Sequence, residues 1–305
     1  MPLDFGRAPG VAEVIIDRDK CTVCGLCARV CNGGPLYVDG GQVCVDQTRL
    51  FGCIACGQCV AVCPNECISV SGRDMLPSDA LDLPPSVARA GFDQLRSLML
   101  SRRSVREYQD REIEPDIIDK IIDAASTSPM GFPPSEVGVI VFAGREKVVE
   151  FKDDLMGAIR SSKWMLSPLG LTLMRPFLGK EGTEAMRSFV GPVVDMYTSG
   201  EKKGEDWFFY GAPLALYFHG SPYADPADPI IAATYAMLAA ESLGLGSCML
   251  GFPPWLVKSS KRLKAKYGLP ARMQPGLVVA FGYPAVKYRR AIKRRFASVR
   301  EWTGE

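Results

Sequence analysis

Short apolar stretches mark the first 75 residues of the chain. Residues 14–16 and 68–70 predict short strands that pair and close a small domain. Residues 36–45 predict a hairpin, because the Asp-Gly-Gly at 39–41 supplies the positive φ that a tight turn needs. The pattern therefore predicts a small first domain built from short paired strands.

Longer periodic stretches follow residue 86. Residues 92–99 place apolar side chains at helical spacing, and that helix is predicted to end around 102–104. Residues 114–125 carry an isoleucine stripe, with Pro115 suited to the first turn of a helix. Residues 230–243 predict an alanine-rich helix that stops at Gly244.

Continuous apolar runs at 137–142, 213–218 and 276–281 predict strands buried on both faces. Residues 160–208 show less pattern and are predicted to form helical segments and loops. Helices that alternate with a few strands are typical of an α+β layer fold. We therefore expect a second, larger α+β domain.

A change of composition separates the two parts of the chain. Residues 75–85 turn to Pro, Ser and Asp, which is typical of a linker. We predict a first domain over residues 1–75, a linker over 76–90 and a second domain over 91–305.

Composition adds few constraints. The chain is 47% hydrophobic and 23% charged, as in globular proteins, and a net charge of +2 gives no reason to expect nucleic acid or a membrane as partner. Residues 1–11 lack the basic start and apolar run of a secretion signal, and no apolar run reaches the ~18 residues of a membrane span. We expect a cytoplasmic protein.

The strongest chemical signal is a repeated cysteine spacing. Ten of the eleven cysteines precede residue 68, and eight of them form two copies of C-x2-C-x2-C-x3-C, the second followed by Pro64. The copies are Cys21, Cys24, Cys27, Cys31 and Cys53, Cys56, Cys59, Cys63. Such clustering points to local metal chemistry and not to a secreted disulfide framework.

Zinc is the alternative metal, since it also binds C-x2-C pairs. A zinc site needs two separated pairs that make one closed tetrahedron. This chain has two runs, each with four cysteines within eleven positions, which is more ligands than one zinc site requires. The spacing therefore favours iron–sulfur clusters.

Residues 11–72 resemble a bacterial two-cluster ferredoxin. The resemblance implies two [4Fe–4S] clusters, with the fourth cysteine of each run serving the other cluster. The implied ligand sets are Cys21, Cys24, Cys27 and Cys63 for one cluster, and Cys53, Cys56, Cys59 and Cys31 for the second. Asn32 replaces the usual proline, and the extra Cys44 and Cys67 are interpreted as small buried hydrophobic residues.

Four separate segments of the second domain carry candidate chemistry. Residues 101–106 offer arginines and serines that suit a phosphate, although exposed basic runs are usually solvated surface. Residues 128–135 form a stiff proline–glycine loop, or an ordinary connection. Residues 243–248 predict a glycine turn with amides that face a ligand, or a plain helix stop. Residues 282–295 end a strand and continue as a basic tail.

Taken in order, these segments resemble the FMN-dependent nitroreductase family across about residues 96–296. The resemblance implies a homodimer with FMN at the subunit interface. It implies phosphate and ribityl contacts from Arg102, Arg103, Ser104 and Arg106, completed by Lys293, Arg294 or Arg295. It implies flavin-ring contacts from Pro129, Met130, Gly131, Leu245, Gly246 and Ser247. The family often has Asn and Gln in the loop, where this chain has residues 132–135, so backbone contacts would replace their side chains.

Both halves together resemble ferredoxin–nitroreductase fusions. We hypothesise an oxidoreductase in which an external donor reduces two [4Fe–4S] clusters. The donor would be a reduced ferredoxin-type protein or an NAD(P)H-linked reductase. The clusters reduce FMN, which reduces a small aromatic or conjugated organic substrate. One alternative is a non-catalytic relay to a partner protein, and another is a specialised reductase for dehalogenation or ene reduction. No G-x-G-x-x-G follows a strand, so direct NAD(P)H binding stays open.

Other candidates have simpler explanations. His219, the single histidine, would serve as an acid catalyst, but a strand-end histidine is more often satisfied by core hydrogen bonds. Cys248 has no basic neighbour in sequence and is interpreted as packing. Aromatic candidates for the substrate pocket, any of which would otherwise be core, are Trp164, Trp207, Phe208, Phe209 and Tyr210. Tyr210 is the candidate catalytic residue of this group.

Overall fold

The structure is a computed structural model that describes residues 6–31 and 34–304. Asn32, which departs from the ferredoxin pattern, lies outside the described residues. The elements of the first domain are β1 (Glu13–Ile16), α1 (Leu26–Val30), β2 (Leu36–Asp39), β3 (Gln42–Val45), α2 (Gln58–Val62) and β4 (Ile68–Ser71).

Paired strands enclose the first domain, as predicted. β1 pairs antiparallel with β4, and β2 with β3. The helices α1 and α2 pack against each other, and each begins after a glycine in the left-handed region, Gly25 at φ 73° and Gly57 at φ 70°. Cysteines and short aliphatic side chains such as Val43 and Val70 fill the interior. The sequence duplication is therefore also a duplication of local structure.

The second domain has more helices than the sequence pattern predicts. Its elements are α3 (Phe92–Ser101), α4 (Pro115–Ser126), β5 (Val137–Ala143), α5 (Arg145–Ser162), α6 (Pro168–Ala185), α7 (Gly191–Lys202), β6 (Leu214–Gly220), α8 (Asp228–Ser242), β7 (Gly246–Leu250), α9 (Phe252–Ser259), α10 (Lys261–Lys266) and β8 (Gln274–Gly282).

An antiparallel sheet in the order β5-β6-β8-β7 forms the centre of this domain. β6 and β8 lie inside the sheet and are almost entirely buried, as predicted. The prediction that 137–142 is buried on both faces is wrong, because β5 is an edge strand and Val141 is 38% exposed. The expected α+β layering is confirmed.

Two hydrophobic cores cover the two faces of the sheet. On one face, α4 and α8 pack their apolar stripes, with Ile121 and Ala236 fully buried. On the other face, α5 and α9 enclose an aromatic core in which Phe142 stacks on Phe151 with centroids 4.1 Å apart. Phe208 and Phe209 belong to this core. Across the described ranges, no helix is both long and apolar enough to cross a bilayer.

Candidate functional site

The first cysteine group lies on one side of the small domain. A cavity of about 300 Å³ is lined by the sulfur-bearing residues Cys21, Cys24, Cys27, Cys63 and Cys67. Three cysteines of the first run thus meet the fourth cysteine of the second run. This grouping is the one that the ferredoxin resemblance implied.

The second cysteine group completes the exchange. A cavity of about 370 Å³ is lined by Cys53, Cys56, Cys59 and Cys31. Three cysteines of the second run therefore meet the last cysteine of the first. Both cavities adjoin the α1–α2 pair: Cys27 lies in α1 and Cys31 is its C-cap, while Cys59 lies in α2 and Cys63 is its C-cap.

The two cysteine loops repeat the same unusual backbone. Val23 and Ala55, each two residues after the first cysteine of its run, have φ of 54° and 59°. Gly25 and Gly57, each directly after the second cysteine, are also left-handed. Side-chain-bearing residues rarely adopt this conformation, and where they do a functional constraint is common. The repeated loops curl around the cavities in the manner that a compact multidentate group requires.

Burial affects the cysteine thiols. It raises the pKa of Cys27 and Cys53, and it raises the pKa of Cys59 to about 12. A thiolate ligand in such surroundings needs a positively charged partner, and binding of the metal releases the proton. The chemistry of the donor set, four cysteines of the two runs lining each cavity, fits a [4Fe–4S] cluster in each cavity.

The extra cysteines differ from each other. Cys67 is buried as interpreted, but its Sγ lies only 3.3 Å from Cys63 Sγ, and its backbone N–H approaches the same sulfur at 3.4 Å. Cys44 is only half-buried, so its interpretation as a buried hydrophobic residue is wrong. It lies in the β2–β3 hairpin, which leaves one face towards solvent.

A second type of site lies on the larger domain. A groove of about 1340 Å³, open to solvent, is lined by residues from the end of α3, the turn after α8 and the chain after β8. Its cationic side chains are Arg103, Lys287, Arg289 and Arg290. Counting the residues that the structure describes, the same lining contains one carboxylate, that of Glu241. Four cations against one carboxylate suit a phosphate group.

Two of the predicted segments meet beside this groove. Ser104 pairs in parallel with Ser247, and the backbone N–H of Val105 donates to the Ser247 carbonyl (3.0 Å). Residues from Gly246 onward form the edge strand β7, so the predicted glycine turn is wrong beyond Leu245, and the ligand contact of these amides stays a prediction. Leu245 itself is buried in the core. Gly246 is small because a Cβ there would lie 2.5 Å from Val105 Cγ2.

Ser247 provides the test of fit for a ligand. Its side chain is 1% exposed, and among the described residues its Oγ has no hydrogen-bond partner. Buried hydroxyls are nearly always paired. Ser247 does not itself line the groove, but it pairs with Ser104, which lies between the groove-lining Arg103 and Val105. The groove therefore fits a phosphorylated cofactor such as FMN.

The arginines of 101–106 separate into two places. Arg103 lines the groove, whereas Arg106 lies over the Tyr210 ring, 5.7 Å from its centroid, and also interacts with Cys248. Arg102 is half-buried and close enough to act electrostatically on Cys248. The fold thus supplies the basic partner that sequence did not show for Cys248, although this thiol is 1% exposed and packs in the aromatic core.

The proline–glycine loop lies at a different place. The Gly131 N–H donates to both carboxylate oxygens of Asp228 (3.0 and 3.2 Å), which anchors the loop to the first turn of α8. Gly246 and Ser247 follow the last turn of α8. Because α8 has 15 residues, its ends are roughly 20 Å apart. One chain therefore does not bring Pro129, Met130 and Gly131 to the groove; all three are exposed.

Comparison with known families identifies the larger domain. The model of the nitroreductase family matches residues 99–283, which is more than half of the chain. The chain belongs to the nitroreductase family. A model of the 4Fe-4S dicluster domain matches residues 13–64, so this family member carries an iron–sulfur domain at its N-terminal side. The predicted ferredoxin–nitroreductase fusion is confirmed, and the protein is an oxidoreductase.

Relatives match the two parts separately. A Methanothermobacter thermautotrophicus protein named NADH dehydrogenase/NAD(P)H nitroreductase is 27% identical over 185 residues, 61% of this chain and 74% of that protein. A Thermotoga maritima protein named archaeal-type glutamate synthase [NADPH] is 36% identical over 66 residues, 20% of this chain and 12% of that protein.

Solved structures resemble the nitroreductase domain. A nitroreductase with bound FMN from Bacteroides fragilis has a TM-score of 0.49 at 21% identity, covering 68% of this chain and 99% of that one. A nitroreductase with bound FMN from Desulfitobacterium hafniense has a TM-score of 0.48 at 19% identity, covering 68% and 98%.

The remaining candidates of the nitroreductase domain lie outside the groove. Lys293, Arg294 and Arg295 are exposed on the tail and do not line the groove. The tail cations that line the groove with Arg103 are Lys287, Arg289 and Arg290. The phosphate contact of the first three stays a prediction. His219 lies within β6, and its Nδ1 is buried with no partner among the described residues, so the expectation of satisfied core hydrogen bonds is wrong.

The aromatic candidates divide by burial. Phe208 and Phe209 are core residues, 2% and 0% exposed, whereas Trp164 and Trp207 are 59% and 41% exposed. Tyr210 is half-buried and left-handed at φ 57°. The Asp206 carboxylate stabilises this bend by accepting backbone N–H groups on both sides of Tyr210. The bend directs the Tyr210 ring to Arg106, where sequence spacing alone gave no link.

Proposed function

We propose that this chain is a reductase in which two [4Fe–4S] clusters supply electrons to FMN, and FMN reduces a small aromatic or conjugated organic substrate. The observation that carries the proposal is the exchange of the fourth cysteines: three cysteines of one run and the last cysteine of the other line each cavity, with Cys67 as a fifth in the first. A chain that only bound structural metal would not need the same crossed arrangement twice.

The clusters supply one-electron reduction, and the protein controls position and access. Cys21, Cys24, Cys27 and Cys63 would hold one cluster, and Cys31, Cys53, Cys56 and Cys59 the other. The surrounding apolar core shields Cys27, Cys53 and Cys59, which are at most 9% exposed, whereas Cys24 and Cys56 are exposed to solvent.

The groove on the nitroreductase domain would hold FMN, which supplies two-electron chemistry when bound. Arg103, Lys287, Arg289 and Arg290 would neutralise its phosphate, in agreement with the forked donors of arginine. Ser104 and the orphaned hydroxyl of Ser247 would contact the polar chain that links phosphate and ring.

A second copy of the chain completes this site in the proposal. Pro129, Met130 and Gly131 are exposed at the far end of α8, so they would meet the flavin of a neighbouring protomer. Exposed apolar side chains support an extensive interface: α3 buries no residue, and Phe92 is 76% exposed. On the tail, Phe296 and Trp302 are 86% and 85% exposed. Exposed apolar surface of this extent is typical of association surfaces.

Tyr210 and Arg106 are the groups best placed to act on a substrate beside the flavin. Burial raises the pKa of Tyr210, so its hydroxyl keeps its proton at neutral pH and can donate a hydrogen bond. Arg106 adds a positive charge in the same place, where it would stabilise developing negative charge on a nitro or carbonyl oxygen.

Anaerobically purified protein tests the proposal. We expect about eight iron, eight sulfide and one FMN per chain, the sum for two cubane clusters and one flavin. Rapid mixing with dithionite should bleach the clusters and then the flavin, and nitroaromatics or quinones should reoxidise both over many turnovers. Colourless protein after reconstitution would contradict the proposal. Full cofactor content without substrate turnover would favour a relay to a partner protein.

A further inference from the structure

The two cluster cavities are not equivalent towards the nitroreductase domain. The second cavity, lined by Cys31, Cys53, Cys56 and Cys59, adjoins two segments by which the first domain contacts the second, since Ala12 bonds Cys53 and Met75 lies beside Gly57. These segments are residues 6–12, before β1, and the turn 72–75, after β4.

The turn after β4 is closed and unusual. Gly72 and Met75 exchange backbone hydrogen bonds (2.9 and 3.1 Å), and between them Arg73 and Asp74 are both left-handed, at φ 50° and 70°. Neither residue is a glycine, so this backbone persists only because surrounding contacts hold it. Met75 reaches back to Gly57, beside Cys56 of the second cavity.

Arg73 is the centre of the domain contact. Its side chain is 8% exposed, and its guanidinium donates to the carbonyls of Gly10 (2.9 Å) and Pro133 (3.1 Å) while it lies 5.8 Å from the Phe132 ring centroid. Pro133 and Phe132 belong to the proline–glycine loop. One buried cation therefore links the first domain to the loop proposed to face the flavin.

Arg7 extends the same contact. Its backbone N–H donates to Glu136 Oε1 (2.6 Å), its Nε donates to the Ser135 carbonyl (2.8 Å), and its guanidinium pairs with Asp74. Contacts around Arg73 and Arg7 thus cover the loop from 132 to 136.

The contact also reaches the second cysteine run directly. The Ala12 N–H donates to the Cys53 carbonyl (2.9 Å), and the Arg73 charge acts on the Cys53 sulfur. By contrast, residues that line the first cavity hydrogen-bond within the first domain: Asn65 donates to Thr22, and Val43 accepts from Arg18.

From this geometry we infer that the cluster of the second cavity is the one that delivers electrons to the nitroreductase domain, and that Arg73 is the positioning residue that holds it against the 132–136 segment. The inference rests on the proposed function. Each transfer oxidises the reduced cluster by one electron, and two transfers with two protons convert FMN to its two-electron-reduced form. An external one-electron donor re-reduces the clusters through the first cavity.

Arg73 variants of the full-length holoprotein test this assignment. Arg73→Gln should keep its iron, sulfide and FMN but slow the arrival of electrons at the flavin by at least about tenfold after mixing with dithionite, the change that ~1.4 kcal/mol of lost docking produces. In an EPR-monitored redox titration, one cluster should shift to lower potential and the other should not, because a buried positive charge favours the reduced cluster.

Matched variants separate the roles. Arg73→Lys should keep the potential but not the rate, since it retains the charge and loses the forked donors. Arg18→Gln removes an arginine that also bonds a carbonyl of the first domain, away from the contact, and should leave hydrogen exchange at 135–137 unchanged. Glu136→Ala removes the acceptor of the Arg7 N–H and so weakens the domain contact, while every residue of the iron–sulfur domain is kept. An Arg73→Gln protein with normal rate and both potentials unchanged would overturn the assignment.

Hydrogen exchange distinguishes this failure from failure of the proposed function. If Arg73 holds the domains together, backbone amides at 135–137 should exchange faster in Arg73→Gln than in Arg18→Gln, whether or not FMN is reduced. Wild-type clusters that never reduce FMN would contradict the proposed function, and unchanged exchange in Arg73→Gln would contradict the role of Arg73.

Discussion

Asp228 connects the proline–glycine loop to the nitroreductase core, and Asp228→Ala tests what that loop contacts. The carboxylate is 6% exposed and accepts the Gly131 N–H from the first turn of α8. A hydrogen bond to a charged group contributes about 1.5–3 kcal/mol to stability, and a negative charge at a helix N-terminus about 0.3–1 kcal/mol. Asp228→Ala should therefore destabilise the domain by roughly 2–4 kcal/mol, or roughly 5–15 °C in Tm.

Flavin affinity should fall as well. Without its anchor the loop must be re-ordered when FMN binds, which costs about 1–2 kcal/mol per freed residue. One freed residue corresponds to roughly tenfold weaker binding. The measurements are thermal unfolding by circular dichroism and titration of flavin-free protein with FMN, both under anaerobic conditions.

Asp116→Ala is the matched control. Asp116 is also an acidic residue in the first turn of a helix, α4, but its ion pair within the described part of the chain is with the exposed Lys120 across one turn. It should change stability by less than about 1 kcal/mol and leave FMN affinity unchanged. If Asp228→Ala lowers Tm but binds FMN normally, the loop does not face the flavin, and the proposed two-chain site is refuted.

Three shorter predictions concern other residues. Gly246→Ala should destabilise by about 1–3 kcal/mol in urea unfolding, because the new Cβ overlaps Val105; an unchanged midpoint would contradict this packing. Cys67→Ala should leave iron and sulfide unchanged, since four other cysteines line that cavity; loss of iron would make Cys67 a ligand in place of Cys63. Burial lowers the pKa of His219, so the folded state binds fewer protons than the unfolded state, and stability should fall as pH drops below about 6.5. His219→Leu should flatten that acid decline in Tm-versus-pH curves.

The local signals in the sequence were reliable where a single element carries its own pattern. The ferredoxin resemblance carried by the cysteine spacing predicted which cysteines line each cavity, and periodicity predicted α4, α8, β6 and β8. The helix α5 was not predicted, although its sequence carries the signal. Four of its buried side chains are at helical spacing: Val148, Phe151, Leu155 and Ile159. The strand β7 was missed because five residues after a glycine turn have no period long enough to recognise.

The contacts that matter most for the sites are those that no local pattern contains. Arg73 and Pro133 are 60 residues apart in sequence, and Gly131 and Asp228 are 97 apart. A hydrogen bond from a guanidinium to a distant carbonyl leaves no spacing rule, since any residue offers a carbonyl. The basic tail likewise showed where charge is concentrated but not which of its side chains line the groove, which are Lys287, Arg289 and Arg290.

Crossed ligation has a consequence for how the iron–sulfur domain matures. Under the proposed ligation, neither cluster can be held by one stretch of the chain alone, because Cys31 lines the cavity of the second run and Cys63 lines that of the first. Inserting either cube fixes part of the other's scaffold, so half-loaded molecules should be scarce during iron limitation. The protein would instead divide between molecules with both clusters and molecules with none. Native mass spectrometry resolves these two populations by mass.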